Sequence, residues 1–415
     1  MPAERPAAAP QVQPRLTERH VLALGLAAAG AFVIAAGVAG ILLLASGGSP
    51  WAAIHLALAG AAVTAIGAFM PHFAVTLAGT RPASGPQRLA SLIMLAGGAS
   101  AVVIGMLAGL GWVAASGSAI VIGGLGLVAA HTVAPLREPL ARRHHVVSLV
   151  YGVALLEMAA GVALGGVVAI GQRDVLGAWA TLRGAHAWLT LFGAVSLTIF
   201  GTLVYLAPTV LGARIKAGPG LMVGALGMLI GPAVVVVGFV VDAAPVVIAG
   251  MVATLAGAGG QIAYVIDTYR RRGPFTSEHD WRRVAIGHLV GGTGWFALAV
   301  VVAAYETLSG RPLAGWSMGA LAVPMIAGWM LQELVGSWTH LAPSVTPGDA
   351  ARHARQRRIL AFASRSRLVA WNAGIGLVWI GLAFGVDAAV LVGAPVLGLT
   401  ALLSVGLLTR ALATR

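Results

Sequence analysis

Twelve apolar stretches, each about long enough to cross a bilayer, run through this chain almost end to end. A spanning helix needs about 20 predominantly apolar residues. The stretches at 20–46, 51–78, 88–110, 112–136, 145–171, 180–212, 219–241, 244–268, 283–305, 316–343, 365–385 and 387–409 meet that length. Of the 415 residues, 59% are hydrophobic and 9% are charged, against about 25% charged in an ordinary soluble domain. In lipid every backbone polar group must find its partner inside the protein, so apolar segments of this length fold as helices. The expected fold is all-α, a polytopic transmembrane bundle of twelve helices. Fifty-seven glycines are spread through these stretches, and small residues let such helices approach closely.

Charge orients the bundle. The net charge is +13, and the arginines concentrate in alternate loops: RPASGPQR, LREPLARRHH, GARIKAG, YRRRGPFTSEHDWRR and RHARQRRILAFASRSR. The intervening loops are poor in Arg and include the turns at Asp242 and Asp387. By the positive-inside rule the Arg-rich set and both termini are cytoplasmic, which requires an even number of spans. The basic charge therefore reflects topology in a bacterial inner membrane, and no nucleic-acid partner is expected. Residues 1–18 are Pro-rich and polar and read as a disordered cytoplasmic tail, without the apolar core of a signal peptide. Residues 19–415 form the twelve-span domain. The chain has no cysteine, which excludes disulfides, thiolate zinc sites, iron–sulfur clusters and heme attached through C-x-x-C-H.

A repeat is visible within the chain. Gly201-Thr-Leu-Val-Tyr-Leu-Ala-Pro208 near the end of span 6 and Gly336-Ser-Trp-Thr-His-Leu-Ala-Pro343 at the end of span 10 share the pattern G-x-x-x-x-L-A-P. Span 2 ends more loosely as Gly67-Ala-Phe-Met-Pro-His-Phe. A spacing of four spans predicts three arcs of four helices each.

Histidines in these helices carry the candidate chemistry. An imidazole inside an apolar bundle is costly and needs a partner: a metal, a heme iron, a proton path or another polar group. His55 opens span 2 and His186 opens span 6, both at the outer side, so they can share a site. His72 lies 17 residues beyond His55, which at ~1.5 Å per residue is about 25 Å away. It therefore belongs to the inner side, with His340 of span 10 and, at similar depth, His131 and His288. His20, His144, His145, His279 and His353 lie in tails or loops beside arginine and read as interfacial imidazoles wetted by headgroup water. Glu157, mid-span in VALLEMAAGVAL, either marks a proton route or makes a helix–helix hydrogen bond. The same two readings hold for Gln332, Glu333 and Asn372. Arg183, three residues before His186, is placed to pair with a heme propionate or to anchor the helix at the interface.

These residues resemble a known family. A histidine opening span 2, the segment HAWLTLFGAVSLTIFGTLVYLAP in span 6 and GWMLQELVGSWTHLAP in span 10 are similar to motifs of heme–copper oxidase subunit I. They are more similar still to the membrane half of actinobacterial multicopper-oxidase-like proteins. The resemblance implies the three-arc architecture and a heme ligand at His55. It departs from the oxidases where copper would bind. Trp188 stands at the position of the sixth-span copper histidine, and the seventh span, GLMVGALGMLIGPAVVVVGFVVDA, has no histidine. The expectation is a heme-binding, or else copper-binding, membrane redox protein without a complete copper site. Its ligand candidates are His55 with His186 and His72 with His340, and its cofactor is heme b, or copper. A cupredoxin or cytochrome would be its electron partner. The alternatives are a cofactor-free transporter or scaffold, with Pro71, Pro232 and Pro324 interrupting spans around a cavity, or a copper-handling membrane protein.

Overall fold

A computed structural model describes residues 16–46, 49–137, 145–171, 179–274, 280–309, 318–346 and 348–414. Most of the N-terminal tail, together with His144 and His279, lies outside these residues.

The described chain is helical, and twelve of its helices are long and apolar enough to cross a membrane. They are span 1 (Glu18–Leu43), span 2 (Trp51–Ala78), span 3 (Gly85–Leu107), span 4 (Gly111–Leu136), span 5 (Val146–Ala169), span 6 (Thr181–Leu211), span 7 (Pro219–Val240), span 8 (Ala244–Arg270), span 9 (Trp281–Leu308), span 10 (Ala320–Ser344), span 11 (Ser364–Phe384) and span 12 (Asp387–Ala413). The protein is a multi-pass bundle whose outward surface is apolar. Ile41, Leu107, Leu156, Val301, Leu391 and Leu399 all stand exposed on it, as expected where lipid is the solvent.

The four-span repeat governs the packing. Spans 3 and 4, 7 and 8, and 11 and 12 form the three most intimate helix pairs. Each is a close hairpin built on small residues. At Gly98 an added Cβ would meet the Gly117 carbonyl oxygen at 2.7 Å, and at Gly257 it would meet the Met228 nitrogen at 2.5 Å. At Gly374 it would lie 2.9 Å from the Leu397 nitrogen. All three hairpin turns are tight: Gly109 (φ 71°) links spans 3 and 4, Asp242 (φ 51°) links spans 7 and 8, and Gly385 (φ 68°) links spans 11 and 12. Aspartate tolerates that left-handed conformation better than most residues.

Spans 2, 6 and 10 are the three most buried, and each carries one π-helical segment: Leu56–Ala62, Trp188–Val195 and Val323–Met330. A π segment inserts a residue into the α ladder and frees carbonyls that lipid cannot satisfy. In spans 6 and 10 side chains do so. Ser196 Oγ donates to the Leu191 carbonyl at 2.8 Å, Gln332 Nε2 to Gly328 at 2.8 Å and Trp371 Nε1 of span 11 to Ala327 at 3.2 Å. The three arcs are thus marked both by their close hairpins and by their bulged central spans.

The sequence reading is corrected in one stretch. RHARQRRILAFASRSR was expected to be loop, yet Ala350–Ala361 is a helix. Asp349 caps it by accepting from the Arg352 N–H at 2.8 Å. Gln356 and Leu360 turn inward, and Gln356 Nε2 donates to the Ala411 carbonyl of span 12 at 3.0 Å. Arginines elsewhere around this short helix mask its apolar face in a purely linear reading.

Candidate functional site

Span 2 begins at Trp51, which places His55 on its first turn, immediately before the π segment. His186 stands two residues before the π segment of span 6. The two rings face one another across the bundle with centroids 6.2 Å apart and planes 2° from parallel. The sequence-expected pair is therefore brought together. Each ring is held by its Nδ1 atom: His55 Nδ1 lies 2.9 Å from the Trp51 carbonyl oxygen, and His186 Nδ1 lies 2.7 Å from that of Gly161 in span 5. A carbonyl only accepts, so Nδ1 carries the proton and Nε2 keeps a lone pair on each ring.

The surroundings fix both side chains. The Trp51 ring stacks on His55 at 3.9 Å. Gly165 of span 5 lies against His186, so that a Cβ there would meet its Cε1 and Nδ1 at 2.9 Å. Thr190 Oγ1 donates to the His186 carbonyl at 2.7 Å. Arg183, half-buried, acts electrostatically on His55.

A metal held between two imidazole nitrogens at about 2 Å each puts the ring centres about 6 Å apart. The observed separation and near-parallel planes fit that arrangement. The tautomers fit as well, because metal-bound histidines donate their other nitrogen to a carbonyl or carboxylate. Among the described residues no group of three or more His, Asp or Glu side chains is gathered as a metal site. A heme iron needs no such group, since the macrocycle supplies four ligands and the protein only the axial ones.

A cavity of about 120 Å³ runs between spans 2, 6 and 10. Its wall on span 2 starts at Ala57, two residues from His55, and continues through Ala61 and Ala65. Thr198 and Thr202 of span 6 and Glu333 of span 10 also line it.

The other candidates have different surroundings. His72 Nδ1 lies 3.0 Å from Glu18 of span 1, a carboxylate that also accepts from Arg88 at 3.4 Å. His340 stacks on Trp281 at 5.9 Å. Among the described residues no ring contact joins His72 to His340, although their spans touch through Phe69 and Trp338 at 4.3 Å. His288 is buried and its Nδ1 lies 3.0 Å from Gln332 Oε1. Asn372 Oδ1 accepts from Trp295 at 2.8 Å and from Gln332 at 3.1 Å. Gln332 and Asn372 therefore tie spans 9, 10 and 11 together. Trp188 is buried against Phe192.

Glu157 is buried and its carboxylate rests against Gly193, in the π segment of span 6, with neither oxygen hydrogen-bonded. What sequence reading missed is the Trp51 and Gly161 carbonyls that orient the two histidines. A backbone acceptor leaves no mark on residue identity. Compared with known proteins, the chain matches no family model and no curated protein sequence.

Proposed function

We propose that this is a membrane redox protein in which His55 and His186 would hold one b-type heme. The observation that carries the reading is the pair itself: near-parallel rings 6.2 Å apart, each with Nδ1 tied to a backbone carbonyl and Nε2 left as a ligand. A heme held there would supply reversible one-electron transfer. The chain's part is to fix the two imidazoles in position and tautomer, to exclude water with apolar walls and to offer Arg183 to a propionate. With the Arg-rich loops inside, the site lies towards the outer face of a bacterial inner membrane, within reach of a cupredoxin or cytochrome partner. The resemblance to heme–copper oxidase subunit I supports the same reading, with the copper site incomplete at Trp188.

The test is the dithionite-reduced minus oxidised spectrum of purified, detergent-solubilised protein, with a pyridine hemochrome assay. A sharp α-band at one heme per chain, lost in both His55→Ala and His186→Ala, is expected. A featureless spectrum after expression with ample heme overturns the reading. A second reading rests on the same pair, because two imidazoles at this separation also suit a single copper ion. Metal analysis of the colourless protein, with loss of copper in His186→Ala, would favour it. A colourless protein free of copper would leave a cofactor-free transporter or scaffold.

A further inference from the structure

The cavity between spans 2, 6 and 10 contains one titratable side chain among its described lining residues, Glu333. The remainder of its wall is apolar apart from a few hydroxyls, among them Thr198, Thr202 and Ser337. Glu333 is 4% exposed, and neither carboxylate oxygen has a hydrogen-bond partner. Its carboxyl packs on Gly292 of span 9, where a Cβ would meet Oε1 at 2.9 Å. Among the described residues, the cavity wall carries no cation that could neutralise it. On the neighbouring spans, His288 of span 9 is engaged by Gln332, and Arg367 of span 11 donates to the Leu360 carbonyl at 2.6 Å. An isolated carboxylate in such surroundings is very costly, whereas the neutral acid is not. A carboxyl used only to join helices would be paired, as its neighbour Gln332 is.

We propose that Glu333 is a proton-binding site that loads and unloads through this cavity. Protons move between its carboxyl oxygen and water admitted along the Ser337, Thr198 and Thr202 hydroxyls, so the site gains or loses a single proton and no other group changes its bonding. The proposal does not depend on the heme reading, and a colourless protein leaves it standing.

Two measurements on the full chain in lipid test it. Dicyclohexylcarbodiimide adds to a protonated carboxyl in an apolar setting, and no group leaves. Peptide mass spectrometry is expected to find one adduct at Glu333 of the wild-type protein, forming more slowly as pH rises. Glu157, equally buried and unpaired but away from the cavity, should react at least tenfold more slowly. No adduct at Glu333, or equal labelling at Glu157, overturns the proposal, and neither outcome requires a variant to fold. In infrared spectra, a protonated-carboxyl carbonyl band should be lost in Glu333→Gln and should shift within minutes of transfer to D2O. A substitution that removes no such band beyond the one Glu157 gives in both proteins, or a lost band that does not exchange in hours in the wild type, overturns it too.

Discussion

At the residue scale, the candidate site depends on where two Nδ1 atoms find acceptors. His186 is aimed by the Gly161 carbonyl and steadied by the close approach of Gly165, both from span 5. The absence of a side chain at Gly165 is therefore part of the site. Gly165→Val would push the imidazole away from span 5 and out of line with His55. The expected result is at least a tenfold loss of bound heme with the protein still folded, measured as hemochrome per chain against an unchanged helical circular dichroism spectrum. Retained heme at wild-type stoichiometry would mean that His186 is not a ligand. His55 and His186 were both legible in the sequence as costly imidazoles in apolar helices. The Gly165 contact was not, because one glycine among 57 has nothing local to single it out.

At the scale of elements, glycine divides into two kinds that composition cannot separate. Gly257 sits in the seam between spans 7 and 8, where a Cβ would fall 2.5 Å from the Met228 nitrogen. Gly259, two residues on, has nothing within 4 Å of that position. Backbone cannot yield as a flexible side chain can, and overpacking costs about 1–3 kcal/mol or more. Gly257→Val should lower the apparent melting temperature in detergent by several degrees or abolish folding. Gly259→Val should leave it within error, and equal effects would argue against this hairpin packing. The π segments show the same limit from another side. The sequence placed span 2 at its observed ends, 51–78, yet gave no sign of the bulges. A π insertion is settled by whether its freed carbonyls are satisfied, and one such donor, Trp371, comes from another span.

At the scale of the whole molecule, twelve helices in three repeating sets of four place the three bulged spans at the centre, with the lipid-facing hairpins outside. By the positive-inside rule the arginine distribution predicts both termini in the cytoplasm, and the cysteine-free chain makes that easy to test. Single cysteines at Ser84 and Ala213 should react with a membrane-impermeant maleimide only after the cells are opened. Cysteines at Asp242 and Val386 should react in intact spheroplasts. The reverse pattern would invert the bundle and place the His55–His186 pair at the cytoplasmic side. Number of spans, fold class and the G-x-x-x-x-L-A-P repeat were all readable from the sequence alone, because hydropathy over some 20 residues is a local property that lipid enforces segment by segment. Which imidazoles meet is a different kind of fact. It depends on the rotation of each helix about its axis and on the one-residue shifts of the π segments, and these are set by glycine seams and hydrogen bonds between distant spans. Tertiary structure therefore decided that His55 faces His186, that His72 turns to Glu18 and His340 to Trp281, and that Glu333, without a partner, lines the central cavity.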